Sequence, residues 1–125
     1  MKSNITLVDT SAWIETMRPK GDASVRAKVS GLLRAGQAAW CEIIKLELWN
    51  GAFAREMPDL EELEQNVVLL EITPKVWDRA SKLSRKARTS GKTFLTVDLV
   101  IFACAEEYGA EIVHRDGHFE KMKAL

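Results

Sequence analysis

Residues 5–14 read Ile5-Thr6-Leu7-Val8-Asp9-Thr10-Ser11-Ala12-Trp13-Ile14. Ile5 to Val8 is a short run of β-forming residues. Asp9 closes it, and Thr10 and Ser11 offer N-caps for a helix carrying Trp13, Ile14 and Met17. A strand that feeds straight into a helix is half of a β-α-β unit, so whether the pattern repeats decides the fold class. Arg18-Pro19-Lys20-Gly21-Asp22 reads as a loop, after which Val25, Val29, Leu32 and Leu33 recur at helical spacing until Gly36. Ala38 to Cys41 is a second strand and Glu42 to Arg55 a helix, and Pro58 begins another short helix through Leu60 and Leu63. Val67 to Ile72 is a third strand candidate. Pro74 suits the first turn of a helix reaching about Ser90, with Gly91 as its C-terminal cap. Thr96 caps a helix from Val97 to Tyr108, which Gly109 ends, and Ile112-Val113 is the last strand. Strands that alternate with helices imply an α/β protein: a mostly parallel sheet with helices on both faces.

The 125 residues suit a single domain over 1–125, large enough to bury its own core. With 46% hydrophobic and 29% charged residues, the chain is neither disordered nor fibrous, and no apolar run approaches the ~20 residues of a membrane span. The opening Met1-Lys2-Ser3-Asn4 enters a strand rather than a leader's apolar stretch, so a cytoplasmic protein is expected. Cys41 and Cys104 sit in apolar surroundings without metal-ligand spacing and are expected to be reduced core residues. The formal net charge is zero, but its placement is uneven. Six acids face one base between Arg55 and Glu71, and seven bases face Asp78 alone between Lys75 and Lys92.

Ligands of open parallel sheets bind beyond the carboxyl ends of the strands. Asp9 ends the first strand and Asp116 follows the last, so the fold brings both to one rim. At ~100° per residue Glu47 falls in an apolar arc with Ile43, Ile44, Leu46 and Leu48, where a carboxylate needs a cation or a hydrogen-bonding partner. Asp98 lies in the first turn of a helix, where free N–H groups favour a charged carboxylate. Each acid alone reads as readily as a cap or a solvated group. Together, with no basic neighbour beside Asp9, Glu47 or Asp98, they point to a hard-cation site.

Four blocks carry a resemblance: Asp9-Thr10-Ser11-Ala12-Trp13-Ile14, Glu47-Leu48-Trp49-Asn50-Gly51, Thr96-Val97-Asp98-Leu99-Val100-Ile101-Phe102-Ala103 and Asp116-Gly117-His118-Phe119. In order and spacing they resemble the signature blocks of PIN-domain ribonucleases, in particular the VapC toxins of toxin–antitoxin pairs. The resemblance implies a PIN-like three-layer sandwich and a metal-dependent endoribonuclease. It implies that Asp9, Glu47, Asp98 and Asp116 hold Mg2+ or Mn2+, with Ser11 as a polar support; Thr96 and His114 are expected as further supporting residues. It further implies an RNA substrate such as tRNA or another structured RNA, a small VapB-like antitoxin and a homodimer. The chain departs from the family at His114, where Thr or Ser is usual, and at His118, where an acid is common. A metal-silent RNA-binding or scaffolding module of the same fold is the alternative.

On the helix from Lys75, the residues Lys75, Arg79, Lys82 and Lys86 fall within ~60°, beside an apolar stripe of Val76, Ala80, Leu83 and Ala87. The basic row is either a solvated face or a ridge that tracks RNA phosphates. The helix from Ile43 to Phe53 carries two apolar rows, Ile43-Leu46-Trp49-Phe53 and Ile44-Leu48-Ala52, of which only one can face the sheet. Trp13, Met17 and Trp49 suit a groove for a partner helix. Gly91-Lys92-Thr93 is no phosphate loop, because Lys86 holds the first glycine's place and a helix precedes it. A phosphatase of the aspartyl type needs a second acid where the chain has Ser11.

Overall fold

The computed structural model describes residues 4–115 and 117–125. Its centre is strand β1 (Thr6–Val8), where Leu7 and Val8 are fully buried. β2 (Ala38–Trp40) lies parallel to it on one side, in the register Thr6↔Ala38 and Leu7↔Ala39. β4 (Glu111–Val113) lies parallel on the other, with Val8 opposite Val113. β3 (Val68–Leu69) pairs with the outer side of β2, so the order is β3-β2-β1-β4 and every pairing is parallel. Helices cover both faces, as the alternating pattern requires.

The helices are α1 (Thr10–Met17), α2 (Ala23–Arg34), α3 (Glu42–Gly51), α4 (Met57–Asn66), α5 (Pro74–Thr89), α6 (Thr96–Glu107) and α7 (His118–Lys123). Leu99 to Ala105 are buried without a break, so α6 is a core helix enclosed on every side. α5 packs along α6 through Val76, Ala80 and Ala87, and α2 packs along α1. Trp13 and Trp40, both buried, meet at 5.8 Å between ring centroids and join α1 to β2. Cys41 and Cys104 are buried free thiols. Among the described residues no helix is long and apolar enough to cross a membrane.

Four boundaries differ from the sequence reading. Asp9, not Thr10 or Ser11, caps α1, because its carboxylate accepts the Ser11 N–H while the hydroxyls of Thr10 and Ser11 bond to side chains elsewhere. Thr96 is the first residue of α6; Leu95 occupies the cap position, without a side-chain bond. The helix from Glu42 stops at Gly51, and a single 3₁₀ turn at Ala54–Glu56 precedes α4. Of the expected third strand, Val68 and Leu69 pair with β2 at the sheet edge, and the Leu70 N–H adds one bond to the Trp40 carbonyl at 2.8 Å. Elsewhere the stops fall as expected: Gly91 follows α5 at φ +74°, a conformation that glycine adopts without strain.

The turn between α1 and α2 folds back onto the backbone of α1. A Cβ on Gly21 would stand 1.8 Å from the Glu15 carbonyl oxygen. Gly21→Ala is therefore expected to lower stability by about 1–3 kcal/mol, the usual range for overpacking, measured by urea unfolding with an unchanged m-value.

Candidate active site

The end of the central strand places the first acid. The Asp9 N–H donates to the Val113 carbonyl at 2.9 Å, continuing the β1–β4 ladder by one bond. Its carbonyl accepts from the N–H groups of Ala12 and Trp13, which starts α1. Its Oδ2 accepts from the Ser11 N–H at 3.1 Å and the Ser11 hydroxyl at 2.7 Å. Asp9 is 5% exposed, and among the described residues no donor reaches its Oδ1. The cap and the candidate ligand are thus one residue, with one oxygen assigned to each task.

Glu47 arrives from α3. The Thr10 hydroxyl donates to its Oε1 at 2.7 Å, so the residue after Asp9 also fixes the second acid. The apolar arc expected around Glu47 is only half buried: Ile44 and Leu48 face the core, while Leu46 is 69% exposed. Glu47 itself is exposed at the rim. Lost hydration still raises its carboxyl above the usual range, the Thr10 hydrogen bond opposes this, and the negative charges of Asp9 and Asp98 raise it further. Asp98, in the first turn of α6, is 9% exposed, and His118 Nδ1 lies 3.3 Å from its Oδ2. Asp116 lies outside the described residues.

Three carboxylates from three elements therefore share one rim and repel each other, and neither Asp9 nor Glu47 has a Lys or Arg partner among the described residues. In this conformation no three Asp, Glu, His or Cys side chains among the described residues stand close enough to hold one ion jointly. The donor chemistry nonetheless fits a hard dication: the donors are carboxylate oxygens, their mutual repulsion is what such a charge relieves, and Asp9 has an oxygen to offer.

Other expected residues take varied places. Ser11 touches Asp9, and Thr96 opens the helix that carries Asp98. His114 turns to α7 instead, 3.2 Å from Glu120 Oε1 with its ring against Phe119. Lys75, Arg79, Lys82 and Lys86 line a cleft of about 430 Å³ between α5 and α6. Arg79 is held by Glu107 at 2.9 Å and Glu106 at 3.8 Å, and Lys82 by Asp78 at 2.9 Å. Lys75 and Lys86 have no ion-pair partner among the described residues. Glu107 stands at the far end of α6 from Asp98, about 14 Å away at 1.5 Å per residue, so the basic cleft begins well away from the acids. The sequence reading overlooked Thr10, whose position beside Asp9 was its one signal, and the contact of His118 with Asp98.

Residues 6–125 match the PIN domain family. The chain is 36% identical to Ribonuclease VapC11 of Mycobacterium tuberculosis over 124 residues, which covers 95% of this chain and 92% of that protein. Among solved structures it superposes on FitAB bound to a DNA fragment with a TM-score of 0.79, at 21% identity, over 97% of this chain and 92% of that one. VapBC2 from Rickettsia felis, bound to a DNA fragment from its promoter, gives 0.78 at 18% identity, over 94% and 91%. These structures establish the fold.

The raised Glu47 carboxyl fixes a sign. A carboxyl whose folded value exceeds its unfolded one destabilises the fold when ionised, so the penalty is complete above the folded value and vanishes below the ordinary carboxylate range. Glu47→Gln retains an acceptor for Thr10 and removes the charge. In EDTA at pH 8 it is expected to raise the melting temperature by about 1–4 °C, an advantage that disappears by about pH 4.

Proposed function

The chain belongs to the PIN-domain family, in its VapC ribonuclease group, and from that premise we propose that it is an endoribonuclease that hydrolyses RNA phosphodiester bonds with Mg2+ or Mn2+ held by Asp9, Glu47, Asp98 and Asp116. The observation that carries this reading is that the end of β1, the middle of α3 and the first turn of α6 bring three carboxylates near enough at one rim for Asp9 and Asp98 to act on Glu47. In this reading the 125 residues form one domain acting in the cytoplasm as the toxin of a toxin–antitoxin pair.

A phosphodiester is negative and would be repelled by these acids. When bound, the dication supplies the missing positive field, makes the attacking water more acidic and steadies the leaving 3′-oxygen. The residues do the rest. Ser11 fixes the rotamer of Asp9 by occupying Oδ2, and Thr10 fixes that of Glu47. Glu47, at the rim with its Oε1 held by Thr10, adds its carboxylate to the set that would hold the ion. The first turn of α6 supports the charge of Asp98. Lys75 and Lys86 are free to hold phosphates of a long substrate some distance from the cut, whereas Arg79 and Lys82 are occupied by acids.

The partner we propose is a small VapB-like antitoxin. The cleft between α1, α2 and α4, about 590 Å³ and lined by Met17, Leu33 and Leu63 with Arg26 and Glu62 at its edges, suits an amphipathic segment. Trp13 forms its floor, and Trp49 is turned away to donate to Glu64 at 2.7 Å. FitAB and VapBC2 are themselves two-component complexes on DNA. Leu46 on α3 and Phe53 just beyond its end, at 69% and 63% exposure, provide apolar surface for a homodimer.

Purified protein free of antitoxin is expected to cut total RNA into discrete fragments with 5′-phosphate ends in Mg2+ or Mn2+ but not in EDTA. Asp9→Asn and Asp98→Asn are expected to lower the cleavage rate by at least about a hundredfold while RNA binding persists. Unchanged cleavage in both variants would remove these two acids from the reaction, and RNA binding without cleavage in any metal would replace the nuclease with a binding module. Changing Lys75 and Lys86 together to Gln is expected to reduce the slope of log affinity against log salt by about 1.4, two phosphate contacts on a single strand.

A further inference from the structure

Arg115, in the segment between β4 and α7, reaches back across the molecule to the start of α2. Its Nη1 is bonded to Oδ2 of Asp22 and lies 4.0 Å from Oε1 of Glu15, on α1. Glu15 Oε1 also accepts the Asp22 N–H at 3.4 Å, so the two acids are linked to each other. Asp22 divides its oxygens. Oδ1 caps α2 by accepting from the N–H groups of Ser24 and Val25 and from the Ser24 hydroxyl, which leaves Oδ2 for Arg115. The Ser24 hydroxyl foremost, with the Arg115 charge acting in the same direction, holds Asp22 below the usual carboxylate range, so the pair is ionised at neutral pH.

The main chain of the same residue points the other way. The Arg115 N–H donates to Ser11 Oγ at 2.9 Å, and Ser11 Oγ donates to Asp9 Oδ2 at 2.7 Å. A hydroxyl has one hydrogen, and a donor seated on its lone pair restricts where that hydrogen can turn. With Arg115 seated there, the Ser11 hydrogen is directed to Asp9.

We propose that Arg115 is a positioning residue for Asp9: clamped by Asp22 and Glu15, it holds its own N–H on Ser11, which fixes Asp9 Oδ2 and leaves Oδ1 aimed at the site. The inference rests on the reading of Asp9 as a metal ligand, since only then does the direction of Oδ1 matter. The chain of contacts runs from the cap of α2 through Arg115 to the cap of α1.

Three measurements on the full chain test it: amide hydrogen exchange at residue 115, Mn2+ affinity by calorimetry, and melting temperature. Arg115→Ala removes the clamp, and Asp22→Asn removes its charge while keeping an Oδ1 acceptor for the cap. The pair is partly exposed, so each variant is expected to speed exchange at residue 115 by about three- to fivefold and to weaken Mn2+ binding by a similar factor, with a melting temperature within about 2 °C of the parent. Arg115→Lys restores part of both effects, and Arg115→Ala combined with Asp22→Asn goes no further than either alone, because both break one interaction. Unchanged exchange in both single variants, or effects that add in full, overturns the proposal, as does faster exchange with Mn2+ affinity intact. A parent protein that binds no Mn2+ and cuts no RNA defeats the nuclease reading separately, while faster exchange at residue 115 still upholds the clamp on Ser11.

Discussion

The hydrogen bond from the Asp9 N–H to the Val113 carbonyl is the point at which the sheet stops being scaffold and becomes site. On one side of it lie Leu7 and Val8, buried between β2 and β4 with no freedom to shift register without moving apolar side chains into water. On the other side the same residue turns into α1, and its carboxylate is committed to the turn. Register therefore determines where the acid stands. Thr10 and Ser11 then transmit that placement, one to Glu47 on α3 and the other to Arg115 beyond β4.

Gathering like charges at one edge works against folding, and the protein offsets this by spreading the load. Asp9 and Asp98 are buried but sit where backbone N–H groups are available, at a cap and in a helix first turn. Glu47, without that help, stays at the surface and relies on a single hydroxyl. The core that bears this is continuous: α6 is apolar and buried from Leu99 to Ala105, and the Trp13–Trp40 contact joins α1 to β2.

Much of this was legible in the sequence because it rests on local chemistry. The run Ile5 to Val8 followed by Asp9, the prolines and glycines that bound α5, and the apolar length of α6 each signal an element by their own composition. What was not legible depends on partners distant in sequence. Nothing near Thr10 says that its hydroxyl is spent on a residue 37 positions away rather than on its own helix, so local sequence places the cap one residue late. β propensity alone extends the third strand to Ile72, whereas edge pairing is set by the neighbouring strand. The basic row on α5 has the expected periodicity, but Glu106 and Glu107, which occupy Arg79, belong to another helix. Asp22 reads as an ordinary loop acid until Arg115 is seen 93 residues downstream.

The order of strands in space differs from their order of synthesis. β1 is made first and sits at the centre, yet its neighbour β4 is made last, after every helix except α7. Until Val113 leaves the ribosome, the Asp9 N–H lacks its acceptor, and until residue 115 follows, Ser11 lacks its donor. A nascent chain carrying Asp9, Glu47 and Asp98 thus holds the acids without the arrangement. Domains fold as units once their chain is available. All three described acids are thus present in the chain before the pairing that seats the first of them, so closure of the sheet by β4, and not chain growth past the acids, completes their arrangement.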